Sequence, residues 1–423
     1  MRVLLLGSGG REHAMALAIH KSPSCTALFT CPGNPGTATL GTNITIQLTD
    51  FEKIAEFIQQ EHIDLVIVGP EQPLAAGIAD YLRPYCFVCG PNQAAAMLES
   101  SKSFAKHFFA KNNIPTAQYQ VFTTGEYDNV LDYAHKLGFP CVLKADGLAA
   151  GKGVAICQNE PELKSTLQDF WADKTLQDAA SKVVVEQYLA GKEISCFILT
   201  DGKEFIWLPE AKDYKRAQNN DLGPNTGGMG AVSPVPWFNE TLKQQIIAQI
   251  IYPTLKGLQQ EQIDYCGFLF LGIMVLDNQP YILEYNVRLG DPETQVVLPR
   301  IKADFAYLCY LAAAKKIQPN THIEVSPETM LNVVCTSAGY PGKITTGHKI
   351  EITHTDALLF HAGTTLDENK QLITAGGRVI NVTVAAESLK KAISHAYQAV
   401  QSVNFTGKTY RTDIGLDLLP DVH

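Results

Sequence analysis

Apolar and polar positions change rhythm along the first hundred residues. Val3–Leu6, Ala27–Thr30, Asp64–Val68 and Cys86–Cys89 are short apolar runs bounded by turn residues, which predicts strands. Between them, Glu12–His20, Phe51–Gln60 and Leu74–Leu82 carry apolar residues at helical spacing. Strand and helix in alternation predict a small doubly wound α/β domain on a parallel sheet over residues 1–100. A helix from Ser103 to about Lys111 follows. A strand-rich region then runs to about residue 200, including Pro140–Lys144, Val154–Cys157 and Val183–Glu186. Two more strands are expected near Ser195–Leu199 and Glu204–Leu208, then a charged loop, Ala211–Arg216. From about 327, strands separated by glycine turns and one helix, Leu389–Gln401, predict a separate C-terminal α+β domain.

Glycines are placed where such a fold would bind ligands. Gly7-Ser8-Gly9-Gly10, Pro32–Gly36 and Gly69-Pro70-Glu71 follow the first three strands, at the carboxyl edge of the sheet. The first loop is not a dinucleotide fingerprint. Glu12 stands where a third glycine is required, and the second strand ends in Thr30-Cys31 without an acidic residue. A phosphate or carboxylate at the helix N-terminus, with Arg11 adding charge, suits it better.

A second loop, "KADGLAAGKGV", joins two apolar runs and carries Lys144, Gly147, Gly151, Lys152 and Gly153. It is one residue short of a P-loop and leads from strand to strand, not from strand to helix. A mobile flap at the tip of an antiparallel pair fits better. Its glycines free backbone N–H groups for a polyphosphate and its lysines supply counter-charge.

In "YILEYNVRLGDPETQ" the strand period of two puts Glu284, Asn286 and Arg288 on one face. A carboxylate and a carboxamide oxygen together are hard ligands suited to Mg²⁺, which takes the rest of its shell from phosphates and water. Arg288 beyond them can stabilise charge on a transferring phosphoryl group. The neighbouring runs Leu269–Leu271 and Ile273–Val275 are strongly apolar, so the hairpin should be central.

The net charge of −9 argues against nucleic acid as the main partner. No apolar run is long enough to span a membrane, and the amino terminus shows no signal-peptide pattern, so a cytoplasmic protein is expected. The ten cysteines are scattered through apolar strands, as in reduced proteins, and Cys86 with Cys89 lacks the second pair that zinc requires.

These features resemble the ATP-grasp superfamily. The finer motifs "GSGGREHA", "PGNPGT", "VGPEQPLAAGI", "KADGLAAGKGV", "GPNTGGMGA" and "LEYNVRLGDPETQ" resemble the phosphoribosylamine–glycine ligase family, and "GYPG", "HAGT", "GGRV" and "RTDIG" continue the match. The resemblance implies three parts: an N-terminal α/β domain (1–100), an ATP-grasp domain (101–326, lid about 116–190) and a C-terminal domain (327–423). It implies ATP as co-substrate, Mg²⁺ or Mn²⁺ on Glu284 and Asn286, and glycine and phosphoribosylamine as substrates, in a monomer. Glycine's carboxylate would take the γ-phosphoryl group, and the ribosylamine would then attack the glycyl phosphate.

By the same resemblance Lys102, Lys144, Gly147, Gly151, Lys152 and Gly153 meet ATP phosphates. Glu186 to Leu189 form the hinge beside adenine, and Glu193 reaches the ribose. Arg288, Asp213 and Lys215 are the catalytic candidates. Gly9, Gly10, Arg11, Glu12, Asn34, Glu71, Arg216, Asn225, Thr226, Gly227 and Asp291 face the substrates. The chain departs from the family in carrying Tyr214 where His is usual, Gln187 where a second Glu is usual, and no glycine near 177–181. An ATP-grasp ligase with a different acceptor is the alternative.

Overall fold

The computed structural model describes residues 1–149, 153–172 and 179–420. Gly151, Lys152 and part of the 177–181 loop lie outside them.

The expected parallel sheet is present. Strands β1 (Arg2–Gly7), β2 (Ala27–Pro32), β3 (Thr42–Asn43), β4 (Leu65–Val68) and β5 (Phe87–Cys89) lie in the order β3-β2-β1-β4-β5, all parallel. Helices cover both faces, so the central strands read as unbroken apolar runs. All four residues of β4, Leu65-Val66-Ile67-Val68, are buried. Helix α1 (Gly10–His20) starts at the first glycine loop. Helix α2 (Phe51–Gln60) is capped by Asp50 and buries Ile54, Ala55 and Ile58.

The single helix expected over Leu74–Leu82 is two: α3 (Glu71–Ala75) and α4 (Ile78–Leu82). Gly77 separates them with φ of 88°, a left-handed conformation that a side chain would oppose. Helix α5 (Gln93–Ser100), not anticipated, turns at Ser101 into α6 (Lys102–Lys111).

The lid is a small antiparallel sheet. Strands β6 (Tyr119–Thr123), β7 (Cys141–Ala145), β8 (Val154–Cys157) and β9 (Lys182–Gln187) take the order β6-β9-β7-β8 around their own core, which includes Leu143, Leu163, Leu167 and Val185. The flap thus joins the antiparallel neighbours β7 and β8, as the sequence suggests.

The largest sheet has eight strands. β10 (Lys192–Thr200), β11 (Phe205–Asp213), β14 (Gly230–Ser233), β15 (Gly267–Leu276), β16 (Gln279–Asn286), β17 (Thr329–Thr336), β18 (Leu358–His361) and β19 (Arg378–Ala386) are its members. They lie in the order β16-β15-β10-β11-β14-β17-β19-β18. Between β11 and β14 the chain makes a hairpin, β12 (Arg216–Gln218) with β13 (Leu222–Asn225). Lys212 and Asp213, expected in a loop, end β11 and pair with β14, because the adjoining strand satisfies their backbone. The C-terminal strands β17, β19 and β18 extend the sheet directly from β14, and the helix Leu389–Val400 packs on them.

Helix α1 meets the C-terminal strands through a histidine. The His361 backbone N–H donates to His13 Nδ1 at 2.8 Å, and the two rings lie 5.6 Å apart. Burial pushes the His13 pKa down to about 3, with His361 adding repulsion, and burial pushes His361 down to about 4. Both are therefore neutral in the fold, while the unfolded chain protonates them near 6.5. The unfolded state binds more protons below that value. This contribution to stability is complete above pH 6.5 and is lost as pH falls toward 4. Urea unfolding at pH 7 and pH 5 should show a lower midpoint at pH 5. His13→Gln, which keeps an acceptor for the His361 N–H, should reduce that difference.

Candidate active site

Strand β16 carries the site, next to β15 at the sheet edge that meets the lid. Tyr285 and Val287 are buried in the core, while Glu284, Asn286 and Arg288 alternate with them and are partly exposed. Burial would raise the Glu284 pKa. The charges of Lys215, Lys144, Lys102 and Arg288 overcome that and hold it below the usual carboxylate range. Asn286 Oδ1 accepts from Arg288 Nη2 at 3.3 Å.

Arg288 is clamped by acids. Its Nη2 lies 2.8 Å from Glu99 Oε1 and its Nε 3.2 Å from Glu71 Oε2. The other oxygen of Glu99 accepts the Val287 N–H at 2.8 Å, so one carboxylate on α5 fixes both backbone and guanidinium. Glu99 is deeply buried, and desolvation, with repulsion from Glu71, raises its pKa despite Arg288. Glu71 is also opposed by burial, yet Arg288 and Arg11 lower its pKa. Arg11 and Arg288 both donate to the Leu289 carbonyl at 3.1 Å, which joins the first glycine loop to the end of β16.

The lid brings one cation and α6 another. Lys144 Nζ, at the end of β7, donates to the Leu283 carbonyl at 3.2 Å and lies 3.1 Å from Glu186 Oε1. Lys102 Nζ reaches the Gly147 carbonyl at 3.4 Å, and burial lowers its pKa, with Lys144 adding repulsion against Glu284. The base of the flap is anchored to α6, since Asp146 accepts the Ser103 N–H at 2.6 Å and the Ser101 hydroxyl. At Gly147 a side chain would collide with Ala179 at 2.8 Å from its Cα. Gly153 bonds back to Ala145 at 2.8 Å. Leu189 is buried just after β9, and Glu193 pairs with Lys215.

The substrate candidates surround this centre. In the first loop, Glu12 is wedged against Gly7 and Gly69, where Cβ atoms would meet it at 2.4 and 2.3 Å. Its oxygens accept the Gly9 N–H at 2.7 Å and the Arg11 Nε at 2.6 Å. Asn34 bonds the backbone of Ser8, Gly36, Thr37 and His361. These two side chains are engaged in holding the loop. Gly9 lies beside Asp291, whose Oδ2 is 3.6 Å from the position of a Gly9 Cβ. Gly10 lies against Asn381 and Gln295, where a Cβ would be 2.5 and 2.7 Å from their amide nitrogens.

On the other side, Thr226 donates to the Lys215 carbonyl at 2.8 Å, and Asn225 reaches the Val154 carbonyl of β8 at 3.5 Å. Arg216 donates to the Gly223 carbonyl at 2.9 Å. Gly228 has φ of 109°, and a Cβ there would strike Pro292 at 2.2 Å. Asp213 lies beneath it with a buried Oδ1 that has no hydrogen-bond partner among the described residues. Burial, reinforced by the charge of Glu293, pushes the Asp213 pKa far up, and burial raises Glu293.

Sequence reasoning missed Glu99, Lys106, Glu293 and Arg378. Arg378, on β19, bonds the Gly227 carbonyl and lies 3.2 Å from Asp291 Oδ2. It stands in "GGRV", but nothing local marks its partners. The donor set at β16 fits a hard cation that completes its shell elsewhere. Among the described residues no group of three or more His, Cys, Asp or Glu could hold a metal by itself.

Known proteins resemble this chain in sequence and fold. Models of phosphoribosylglycinamide synthetase match in three consecutive parts: the N domain at residues 1–99, the ATP-grasp (A) domain at 100–294 and the C domain at 330–417. A phosphoribosylamine–glycine ligase from Chlorobaculum tepidum is 42% identical over 99% of this chain and 100% of its own length. One from Escherichia coli O157:H7 is 41% identical over 98% of each chain. The crystal structure of phosphoribosylamine–glycine ligase from Thermotoga maritima superposes with a TM-score of 0.87 at 35% identity, covering 98% of this chain and 100% of that one. The biotin carboxylase domain of Hydrogenobacter thermophilus 2-oxoglutarate carboxylase shares the fold. Its TM-score is 0.71 at 15% identity, over 96% and 91% of the two chains. The chain belongs to the phosphoribosylglycinamide synthetase family.

Proposed function

We propose that the chain joins glycine to 5-phosphoribosylamine at the expense of ATP, giving N1-(5-phospho-D-ribosyl)glycinamide, ADP and phosphate in de novo purine synthesis. The observation that carries this reading is the cluster of Lys102, Lys144, Lys215 and Arg288 around Glu284 and Asn286, under a lid. Cations gathered on one side of a partly covered cleft suit a polyphosphate. A divalent cation, Mg²⁺ or Mn²⁺, would sit on Glu284 and Asn286 and neutralise phosphate charge when bound.

Glycine is activated because a carboxylate is a poor electrophile. Its oxygen attacks the γ-phosphorus, the bond to the bridging oxygen breaks, and ADP leaves. The ribosylamine nitrogen then attacks the glycyl carbonyl carbon, and phosphate leaves with the electron pair while the nitrogen gives up a proton. The chain's task is to place reactants and balance charge. Lys102 and Lys144 hold the phosphates with the backbone of Gly147 and Gly153; Gly151 and Lys152 are assigned the same part. Glu186 to Leu189 border the adenine and Glu193 the ribose.

Arg288 meets the charge that develops on the transferring group, and Lys215 supports it. Asp213 and Glu293, crowded acids that share the charge of Lys215, suit an amine brought against them. Gly9, Gly10 and Arg11 receive the ribosyl phosphate at the start of α1. Glu12, Asn34 and Glu71 shape that loop. Arg216, Asn225, Thr226, Gly227 and Asp291 close the substrate side. Closure of the lid excludes water that would hydrolyse the acyl phosphate. Among the described residues no helix is long and apolar enough to cross a membrane. A cytoplasmic monomer with a lid over about 116–190, divided near 100 and 326, completes the proposal. An ATP-grasp ligase with another acceptor is the second reading, separated by the substrate test below.

ADP release should require glycine and freshly made phosphoribosylamine together, and Glu284→Ala should lower it at least about a hundredfold. Release with another carboxylate alone would replace the assigned substrates. Glu99→Ala should lower stability by about 2 kcal/mol in urea unfolding, because it leaves the Val287 N–H and one face of Arg288 unpaired. The same change should depress kcat more than the KM for glycine.

A further inference from the structure

One buried cation has no part in the reading above. Lys106, on α6, has a side chain only 2% exposed. Its ammonium donates to Thr116 Oγ1 at 2.7 Å, lies 3.0 Å from Glu186 Oε2, and stands over the rings of Phe109 and Tyr119 at 5.8 and 5.6 Å. Thr116 passes the contact on to the Ile282 carbonyl of β16 at 2.7 Å. Lys106 is too enclosed to touch a nucleotide.

Its partner Glu186 is shared. The other oxygen of that carboxylate faces Lys144 at 3.1 Å, and Lys144 also donates to Leu283, the residue before Glu284. Two lysines, from α6 and from the lid, therefore converge on one buried carboxylate where the lid sheet meets the metal strand. We infer that Lys106 is a positioning residue for nucleotide binding: it holds and neutralises Glu186, so that Lys144 can leave that carboxylate for the phosphates. The inference rests on the ATP-dependent reading of the site.

The physical argument is one of charge balance. A buried carboxylate stripped of every cation is costly, so a lone lysine beside Glu186 would be retained there. With Lys106 in place, Glu186 keeps an ion pair when Lys144 turns away. Burial lowers the Lys106 pKa. The charge of Glu186 opposes this and leaves a pKa of about 8, so the ammonium persists at neutral pH. Among the described residues Glu186 Oε1 is buried without a well-formed hydrogen bond, and the Lys144 ammonium at 3.1 Å is the cation that faces it.

The test is calorimetric titration of ATP with Mg²⁺ into wild type, Lys106→Met and the double variant Lys106→Met/Glu186→Gln, together with the KM for glycine. Lys106→Met should weaken ATP binding by about tenfold or more and leave the glycine KM within about twofold. Adding Glu186→Gln should restore part of the loss, because the neutral amide no longer retains Lys144. A merely structural role would give losses that add. Equal ATP affinity in wild type and Lys106→Met, equal losses for ATP and glycine, or no recovery in the double variant would overturn the inference. If Lys106→Met does not fold, Thr116→Val decides: it should weaken ATP binding severalfold, and unchanged affinity would overturn the inference. Wild-type protein that bound no ATP would overturn the functional reading as well, whereas binding unaffected by these changes would overturn this inference alone.

Discussion

Glu284 faces four cations, and their charge holds its pKa low against burial. Like charges cannot be brought together in a partly desolvated cleft unless something holds each of them there. The structure supplies a separate restraint for each. Arg288 is clamped by Glu71 and Glu99, Lys144 by Glu186 and a carbonyl, Lys215 by Glu193, and Lys102 by a carbonyl of the flap. The acids that do this come from α3, α5, β9 and β10, which belong to three different sheets or their flanking helices. The meeting of those sheets is thus a condition of the site's charge, and a polyanion with its metal is the ligand that such a cleft best accommodates.

The parts legible in the sequence are those whose signal is local. Period-two alternation places Glu284, Asn286 and Arg288 on one side of β16 because Tyr285 and Val287 have to face the core. The flap could be read because apolar runs flank it and glycine crowds it. The fully buried strands of the first sheet declared themselves as unbroken apolar runs. Errors arose where tertiary contact overrides local character. Gly77 splits a run with good helical spacing, and the charged residues Lys212 and Asp213 become strand because β14 lies alongside. Glu99, Lys106 and Arg378 were invisible for a different reason. Nothing local marks what each of them meets, and its meaning comes from a partner 80 or more residues away: Glu186 for Lys106, Arg288 for Glu99, Gly227 for Arg378.

Tyr214 shows how this chain manages a departure from its family. The family resemblance leads one to expect histidine there, in a stretch with charged neighbours, which invites a role in proton transfer. In the structure Tyr214 is buried, donates its hydroxyl to Asp417 at 2.5 Å and accepts the Gly415 N–H at 3.0 Å. Burial, reinforced by Asp417, raises its pKa further, so it stays a neutral phenol. Alternation along the chain then puts Asp213 and Lys215 on the opposite side, toward Glu293 and Glu193. Tyr214 fastens the C-terminal "RTDIG" segment to the end of β11, and Arg411 of that segment reaches back to the Arg216 carbonyl at 3.1 Å. Residue 214 therefore acts on the site through the backbone it immobilises. The residues turned toward the cleft are the flanking Asp213 and Lys215.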